Sequence, residues 1–345
     1  MILQIVVFHI VGVLMGSAEE GNGRMWGVIH SFLENYHVNS FLLLSGVVWH
    51  QSEDFWAFIV KKAKRLLVPY FVFGFAWAVA FYIGGDIFVK GHPEYNIGKL
   101  STGISSVLTY IVAVCLANGY PEGLGFRIIN VLWFLPAMFL CSAIYFVIYK
   151  YCKHTTHKIV AFVVLLWVWF LVRWLPIPWG GNGVPRFVIF MMLGTYLSNY
   201  LSSCKMRAIG KLMWALILLG LLMIPGFVNS FLRVVGLSDF DVFLKGLLGG
   251  LATALIAQVV NVRALQYFGA ASIGVLVIHK FPIVLIQSIP GLVHSISNES
   301  ALMAGFFCLL TMLAVSLFSV AVILAIRRSV PIIIGEDFKE VDVIR

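Results

Sequence analysis

Histidine ordinarily titrates near neutral pH, so a histidine inside apolar sequence is a first place to look for proton chemistry. His9 stands in the middle of QIVVFHIVGV. It either hydrogen-bonds a neighbouring helix or serves as a general base, and position alone weighs the two equally. Glu34 and His37 lie in HSFLENYHVNSFLLLSG. Their i, i+3 spacing puts them on one helix face, where a carboxylate would orient the imidazole and raise its basicity. A polar patch at a membrane edge explains the same pair. His279 lies in SIGVLVIHKFP, beside Lys280 and Pro282. Two adjacent ionisable groups at bilayer depth line a cavity or pair with polar groups of other helices. A fourth feature is basic. KKAKRLLVPY (61–70) brings Lys62, Lys64 and Arg65 together. The cluster is either a topology anchor or a clamp for phosphates.

These groups must be positioned by helices in a membrane. Of the 345 residues, 61% are hydrophobic and 11% charged, whereas soluble domains carry about 25% charged residues. The apolar stretches approach the roughly 20 residues that a helix needs to cross the hydrocarbon. They run continuously instead of alternating, which selects helices over a barrel. The sequence therefore predicts an all-α, polytopic integral membrane bundle of about ten transmembrane helices. The expected spans are 2–16, 29–50, 66–86, 131–149, 158–176, 187–203, 211–230, 242–261, 267–289 and 301–326. The short apolar stretch 104–117 is expected to be interfacial or re-entrant within a long 87–130 connection. Residues 331–345 are expected to form a tail.

Charge placement gives the bundle a direction. With the N-terminus inside, the inner loops hold Lys61, Lys62, Lys64 and Arg65, then Lys150, Lys153 and Lys158, then Lys205, Arg207 and Lys211, then Arg263. The C-terminal segment adds Arg327, Arg328, Lys339 and Arg345. These are most of the 24 Lys and Arg residues, as the positive-inside rule expects of a chain with both termini in the cytoplasm. No cleavable signal peptide is expected, because the first stretch lacks a basic start and a small-residue cleavage site. The five cysteines (115, 141, 152, 204 and 308) are scattered, so neither a disulfide framework nor a zinc site is expected. No metal or nucleic-acid partner is predicted; the expected partner is the lipid bilayer.

Taken in order, the segments resemble the membrane-bound acyltransferase 3 family, in its sugar O-acetylase branch of the fucose 4-O-acetylase kind. The matching pieces are His9, HVNSFLLLSG (37–46), KKAKRLLVPY (61–70), LWFLPAMF (132–139) and SIGVLVIH (272–279). The second is similar to the family's His-x-x-x-Phe-x-x-x-Ser-Gly stretch. One piece departs: the family's Arg eleven positions before the first-helix His would fall ahead of Met1. The resemblance implies residues 1–330 as an acyltransferase-3-like transmembrane domain, with the rest a cytoplasmic tail. It also implies a protein of the bacterial inner membrane.

The implied activity moves an acetyl or other acyl group from cytoplasmic acyl-CoA to a hydroxyl of a cell-surface or lipid-linked glycan. A sugar hydroxyl is a poor nucleophile until a base takes its proton, a step worth about 10²–10⁴-fold. His9 is the preferred base, with His37, oriented by Glu34, second; His279 is a further candidate. The thioester carbonyl needs a donor for its developing oxyanion, and Trp133 and Ser45 are of suitable type, though ordinary packing explains each singly. Lys62, Lys64 and Arg65 face the compartment of the acetyl-CoA phosphates. A rival reading is a secondary transporter or flippase for a polar or glycan substrate. It predicts paired inverted repeats with broken helices in matching positions. Pro136, Pro225 and Pro282 interrupt helical runs but form no matching pairs. A noncatalytic membrane scaffold is a third.

Overall fold

The computed structural model describes residues 1–34, 36–50, 54–83, 111–112, 114–116, 131–175, 177–203, 206–222, 238–260, 262–289 and 291–336. The described residues are helical, with no strand among them. The helices are α1 (Ile2–Ser17), α2 (Glu20–Glu34), α3 (His37–Val47), α4 (Phe55–Ile83), α5 (Phe134–Tyr151), α6 (Thr155–Val172) and α7 (Val184–Ser203). They continue as α8 (Ala208–Leu222), α9 (Ser238–Val259), α10 (Arg263–Ala270), α11 (Ser272–Ile278), α12 (Lys280–Gln287), α13 (Leu292–Ser297) and α14 (Ala301–Ser329). Short 3₁₀ turns occur at Pro178–Gly180 and Pro331–Ile334.

Among the described residues, four helices are long and apolar enough to cross a membrane: α5, α6, Val242–Val259 of α9, and α14. Shorter apolar helices cover Ile2–Ser17, Ala208–Leu222 and Ser272–Gln287. Helix α6 shows what solvent they suit. Ile159, Val163, Trp167 and Leu171 all lie on its exposed surface. A stripe of that extent is costly in water and at home in hydrocarbon.

Three expected elements take a different form. The expected span 29–50 is two helices, α2 ending at Glu34 and α3 opening at His37. The segment before residue 29 is helical as well, because EGNGRMWGVIHSFLE turns the buried Trp26 and Leu33 to one face and Glu20 and Arg24 to the opposite one. Helix α4 begins eleven residues before the expected 66. Lys and Ala are good helix formers, so the basic cluster is helical itself. The expected span 267–289 breaks into α10, α11 and α12. Pro282 has no N–H to offer the Ile278 carbonyl, and its ring crowds that carbonyl, so the helix interrupts at His279. Most of 104–117, and Pro225, lie outside the described residues.

The chain forms two compact units. The first comprises Met1–Gln51, Phe187–Ala270 and His294–Met312. Within it, α1 packs on α2, α3 on α9, and α8 on α9. Leu201, Ala215, Leu218, Ala252 and Leu255 form an apolar core. Small residues let backbones touch, which is how helices associate where lipid removes the hydrophobic driving force. A Cβ on Gly46 of α3 would stand 2.8 Å from Met191 C and 2.9 Å from Met191 Cα of α7. One on Gly194 of α7 would stand 2.9 Å from Leu43 C. Thr195 Oγ1 donates to the Gly46 carbonyl at 2.8 Å across this contact. Toward the start of α3, Gly246 and Gly249 of α9 lie against Asn39 and Tyr36, and Ser40 Oγ donates to the Gly246 carbonyl at 3.3 Å. Helix α2 is tied to the segment after α13. The buried Trp26 donates through Nε1 to the Ser297 carbonyl at 3.3 Å, and the Glu19 amide donates to Asn298 Oδ1 at 2.7 Å.

The second unit comprises Ser52–Arg186, Ala271–Val293 and Leu313–Arg345. Within it, α4 packs on α5, on α11 and on the 3₁₀ turn Pro331–Ile334. Phe58 of α4 meets Phe146 of α5 at 4.7 Å between ring centroids, and Trp77 meets Phe281 at 5.8 Å. Gly274 of α11 lies against Ile323 of α14.

Candidate active site

In the first unit, three helices converge on one aromatic ring. Phe8 of α1 stacks with His30 of α2 and with His37 of α3, each at 4.5 Å between centroids and at interplanar angles of 29° and 27°. His9, next along α1, meets the same ring edge-on at 4.9 Å. Three imidazoles thus gather around Phe8. The sequence-predicted pair His9 and His37 is brought together, and His30 joins them.

Local structure explains each position. His37 opens α3, and it is buried at 8% exposure. Its Nδ1 lies 2.8 Å from the Leu33 carbonyl. A carbonyl only accepts, so Nδ1 carries the proton, and in the neutral ring Nε2 holds the lone pair. His37 is therefore set in the tautomer that presents a base at Nε2. His30 lies over α1 one turn beyond His9, where Gly12 makes room: a Cβ there would stand 3.3 Å from His30 Nε2. Glu34 is exposed, and its Oε2 lies 3.8 Å from His30 Nδ1 across an i, i+4 step. The carboxylate expected to orient His37 accordingly sits beside His30, whereas His37 Nδ1 bonds the Leu33 backbone carbonyl. The i, i+4 spacing of His30 and Glu34 was the available signal for His30.

Ser45 lies on α3 within the same unit. Its hydroxyl donates to the Phe41 carbonyl at 2.8 Å, so it is engaged with its own helix.

The remaining predicted residues belong to the second unit. Lys62, Lys64 and Arg65 share α4. Lys64 and Arg65 are exposed, and Lys62 is half-buried with Nζ 5.6 Å from the Phe58 ring. His279 is fully buried at the joint of α11 and α12. Its Nδ1 approaches the Val275 and Leu276 carbonyls of its own helix at 3.0 and 2.9 Å. The ring thus caps carbonyls at the break left by Pro282. Trp133 precedes α5 and packs against Gly180, where a Cβ would stand 2.7 Å from Trp133 Cε3. Two groups therefore stand out: an imidazole cluster able to move protons, and an exposed cationic row able to meet anions. Among the described residues, no three His, Cys, Asp or Glu side chains gather in a way that could hold a metal ion.

A family model described as an acyltransferase domain matches residues 1–325, nearly the whole chain. No curated protein and no solved structure matches. With apolar helices of membrane-crossing length among the described residues and an imidazole cluster built on α1, α2 and α3, the chain belongs to the acyltransferase 3 family.

Proposed function

We propose that this membrane acyltransferase is an O-acetyltransferase of the sugar O-acetylase kind. It takes acetyl, or another acyl group, from acyl-CoA on the cytoplasmic side and places it on a hydroxyl of a cell-surface or lipid-linked glycan. In this proposal about ten helices cross the bacterial inner membrane, and both termini are cytoplasmic. The observation that carries it is the gathering of His9, His30 and His37 around Phe8 in a chain of this family.

The chemistry follows from the side chains. An imidazole lone pair takes the proton of the acceptor hydroxyl as its oxygen attacks the thioester carbonyl. The carbon–sulfur bond breaks, and the proton passes to the departing thiolate, so the reaction leaves ester and free thiol. His9 is the base by its place in the family pattern and its depth in α1. The fixed tautomer of His37 makes it the second reading for the same role. Lys62, Lys64 and Arg65 are of the right type for the phosphates of the donor.

The test is transfer of labelled acetyl from acetyl-CoA to glycan in membranes holding the full chain. His9→Ala is expected to abolish ester-linked label while leaving the protein folded and inserted. Undiminished transfer by that variant refutes the assignment of His9. Uptake of a glycan with no covalent label refutes the enzyme and favours the transporter.

A further inference from the structure

Residues 330–336, directly after α14, stay on the fold. Pro331 and Ile334 are buried in the second unit, and Gly335 closes the 3₁₀ turn in a left-handed conformation, φ +75°. It lies directly against the backbone that bears the basic cluster. A Cβ at 335 would stand 2.5 Å from Arg65 Cα, 2.7 Å from the Lys64 carbonyl oxygen and 2.8 Å from the Arg65 carbonyl oxygen. Only glycine suits both that φ and that approach. The next residue secures the contact. The Glu336 carboxylate receives two hydrogen bonds from the Arg327 guanidinium, from Nε and from Nη2. Arg327 is itself buried, at 6% exposure, in the last turn of α14. A buried two-point pair of this kind fixes geometry as well as charge.

The place where this segment touches α4 is where α4 is weakest. Pro69 lies inside the helix. It has no N–H to give the carbonyl four residues back, and its ring crowds that carbonyl. The carbonyl is that of Arg65, and Gly335 packs on it. Without a neighbour, the turn holding Lys64 and Arg65 would be free to adjust its bend about Pro69. With Gly335 in place the bend is pinned from outside.

We propose that Pro331–Glu336 is a clasp that positions Lys64 and Arg65 on α4, and through them sets the affinity for the phosphates of the acyl donor. This rests on the donor-site role of those two cations under the proposed function. Gly335 and Glu336 are positioning residues; neither touches the reacting atoms.

The experiment uses the full chain in native membranes, with acetyl-CoA as varied substrate and labelled acetyl transfer as readout. Purified chain in lipid nanodiscs gives equilibrium binding of acetyl-CoA and the thermal unfolding midpoint. Gly335→Ala is expected to raise the KM and the dissociation constant for acetyl-CoA about tenfold, with kcat within about twofold, as loss of donor binding alone requires. Glu336→Gln is expected to move both constants in the same direction, while Glu336→Asp, which keeps the carboxylate, stays near the parent. Should Gly335→Ala fail to fold, the two Glu336 variants decide the matter. A KM unchanged in Glu336→Gln, or a fall in kcat and unfolding midpoint at constant KM, overturns the clasp and leaves a merely structural contact. Neutralising Lys64 and Arg65 together separates the two ideas. If that raises the KM while the clasp variants do not, the clasp fails and the donor site stands. If neither set changes donor affinity, the donor site fails and the clasp's role fails with it.

Discussion

Gly46→Ala tests the packing that holds α3, and its cost can be worked from the contact. A methyl at 46 would stand 2.8 and 2.9 Å from Met191 C and Cα, and it would overlap the Met191 carbonyl oxygen. Carbon atoms prefer about 3.5–4.0 Å, so α3 and α7 must part by about 1 Å. Backbone atoms cannot rotate aside as a side-chain tip would. Forced overpacking of this kind costs about 1–3 kcal/mol. The Thr195 hydroxyl, 2.8 Å from the Gly46 carbonyl, then loses its reach, which costs about 1 kcal/mol more. The expected loss is about 2–4 kcal/mol, a large share of a protein's net stability. It would be read as a lower thermal unfolding midpoint of the purified chain in nanodiscs, followed by monodispersity after heating. Gly220→Ala and Gly305→Ala are the controls. Both are helical, and a Cβ on either meets nothing within 4 Å. Those two should be neutral or gain the several tenths of a kcal/mol that alanine brings to a helix. Thr195→Ala should lose only the hydrogen-bond share. If Gly46→Ala unfolds with the parent while folding normally, the close backbone crossing of α3 and α7 is refuted.

Other consequences are simpler to state. Gly12→Val should push His30 off Phe8 and lower acetyl transfer at least about tenfold, the scale on which misplaced catalytic groups lose rate; His30→Asn should then be no more active than the double variant. Gly180→Ala combines a left-handed backbone, φ +62°, with a Cβ 2.7 Å from Trp133 Cε3, so a stability loss of about 2 kcal/mol or more is expected. Its unfolding midpoint in detergent, compared with that of the parent, measures the loss. Trp179→Phe removes the indole N–H that donates to the Cys115 carbonyl at 2.8 Å. About 1 kcal/mol is expected from that bond alone, read by the same melts.

The long apolar helices were legible because hydropathy reports what lipid requires. Residues 301–326 were expected as a span, and α14 covers 301–329, with Arg327 and Arg328 in its last turn. Breaks were less legible. Pro282 signalled the interruption at His279, since a missing donor is written in the sequence. Nothing comparable marks the end of α2 at Glu34, since no proline or glycine stands between it and His37. Beside it lie tertiary contacts that local sequence does not announce, of Trp26 with Ser297 and of Tyr36 with Gly249. The imidazole cluster was half visible. His9 and His37 drew notice as polar residues in apolar runs, but His30 lies in a wetter stretch, where a histidine is unremarkable. Only the meeting of α1 and α2 at Gly12 makes it a neighbour of Phe8. PIIIGE reads as a tail by position and composition. Its docking rests on the contact of Gly335 with Lys64 and Arg65, far away in sequence.

Helix α3 is held near both ends, at Gly46 by backbone contact with α7, and by the glycines of α9 against the side chains of Asn39 and of Tyr36 just before it. A rod held in that way resists rolling and sliding, so His37, at its first residue, is a fixed post in the imidazole cluster. Under the proposed function, adjustment to acceptors of different girth then falls to the side chains around Phe8. That ring is flanked by the side chains of α1 and α2, and rotamers can change without moving a backbone. Directed evolution toward new acceptors would do best to leave the α3 glycines untouched and randomise around Phe8.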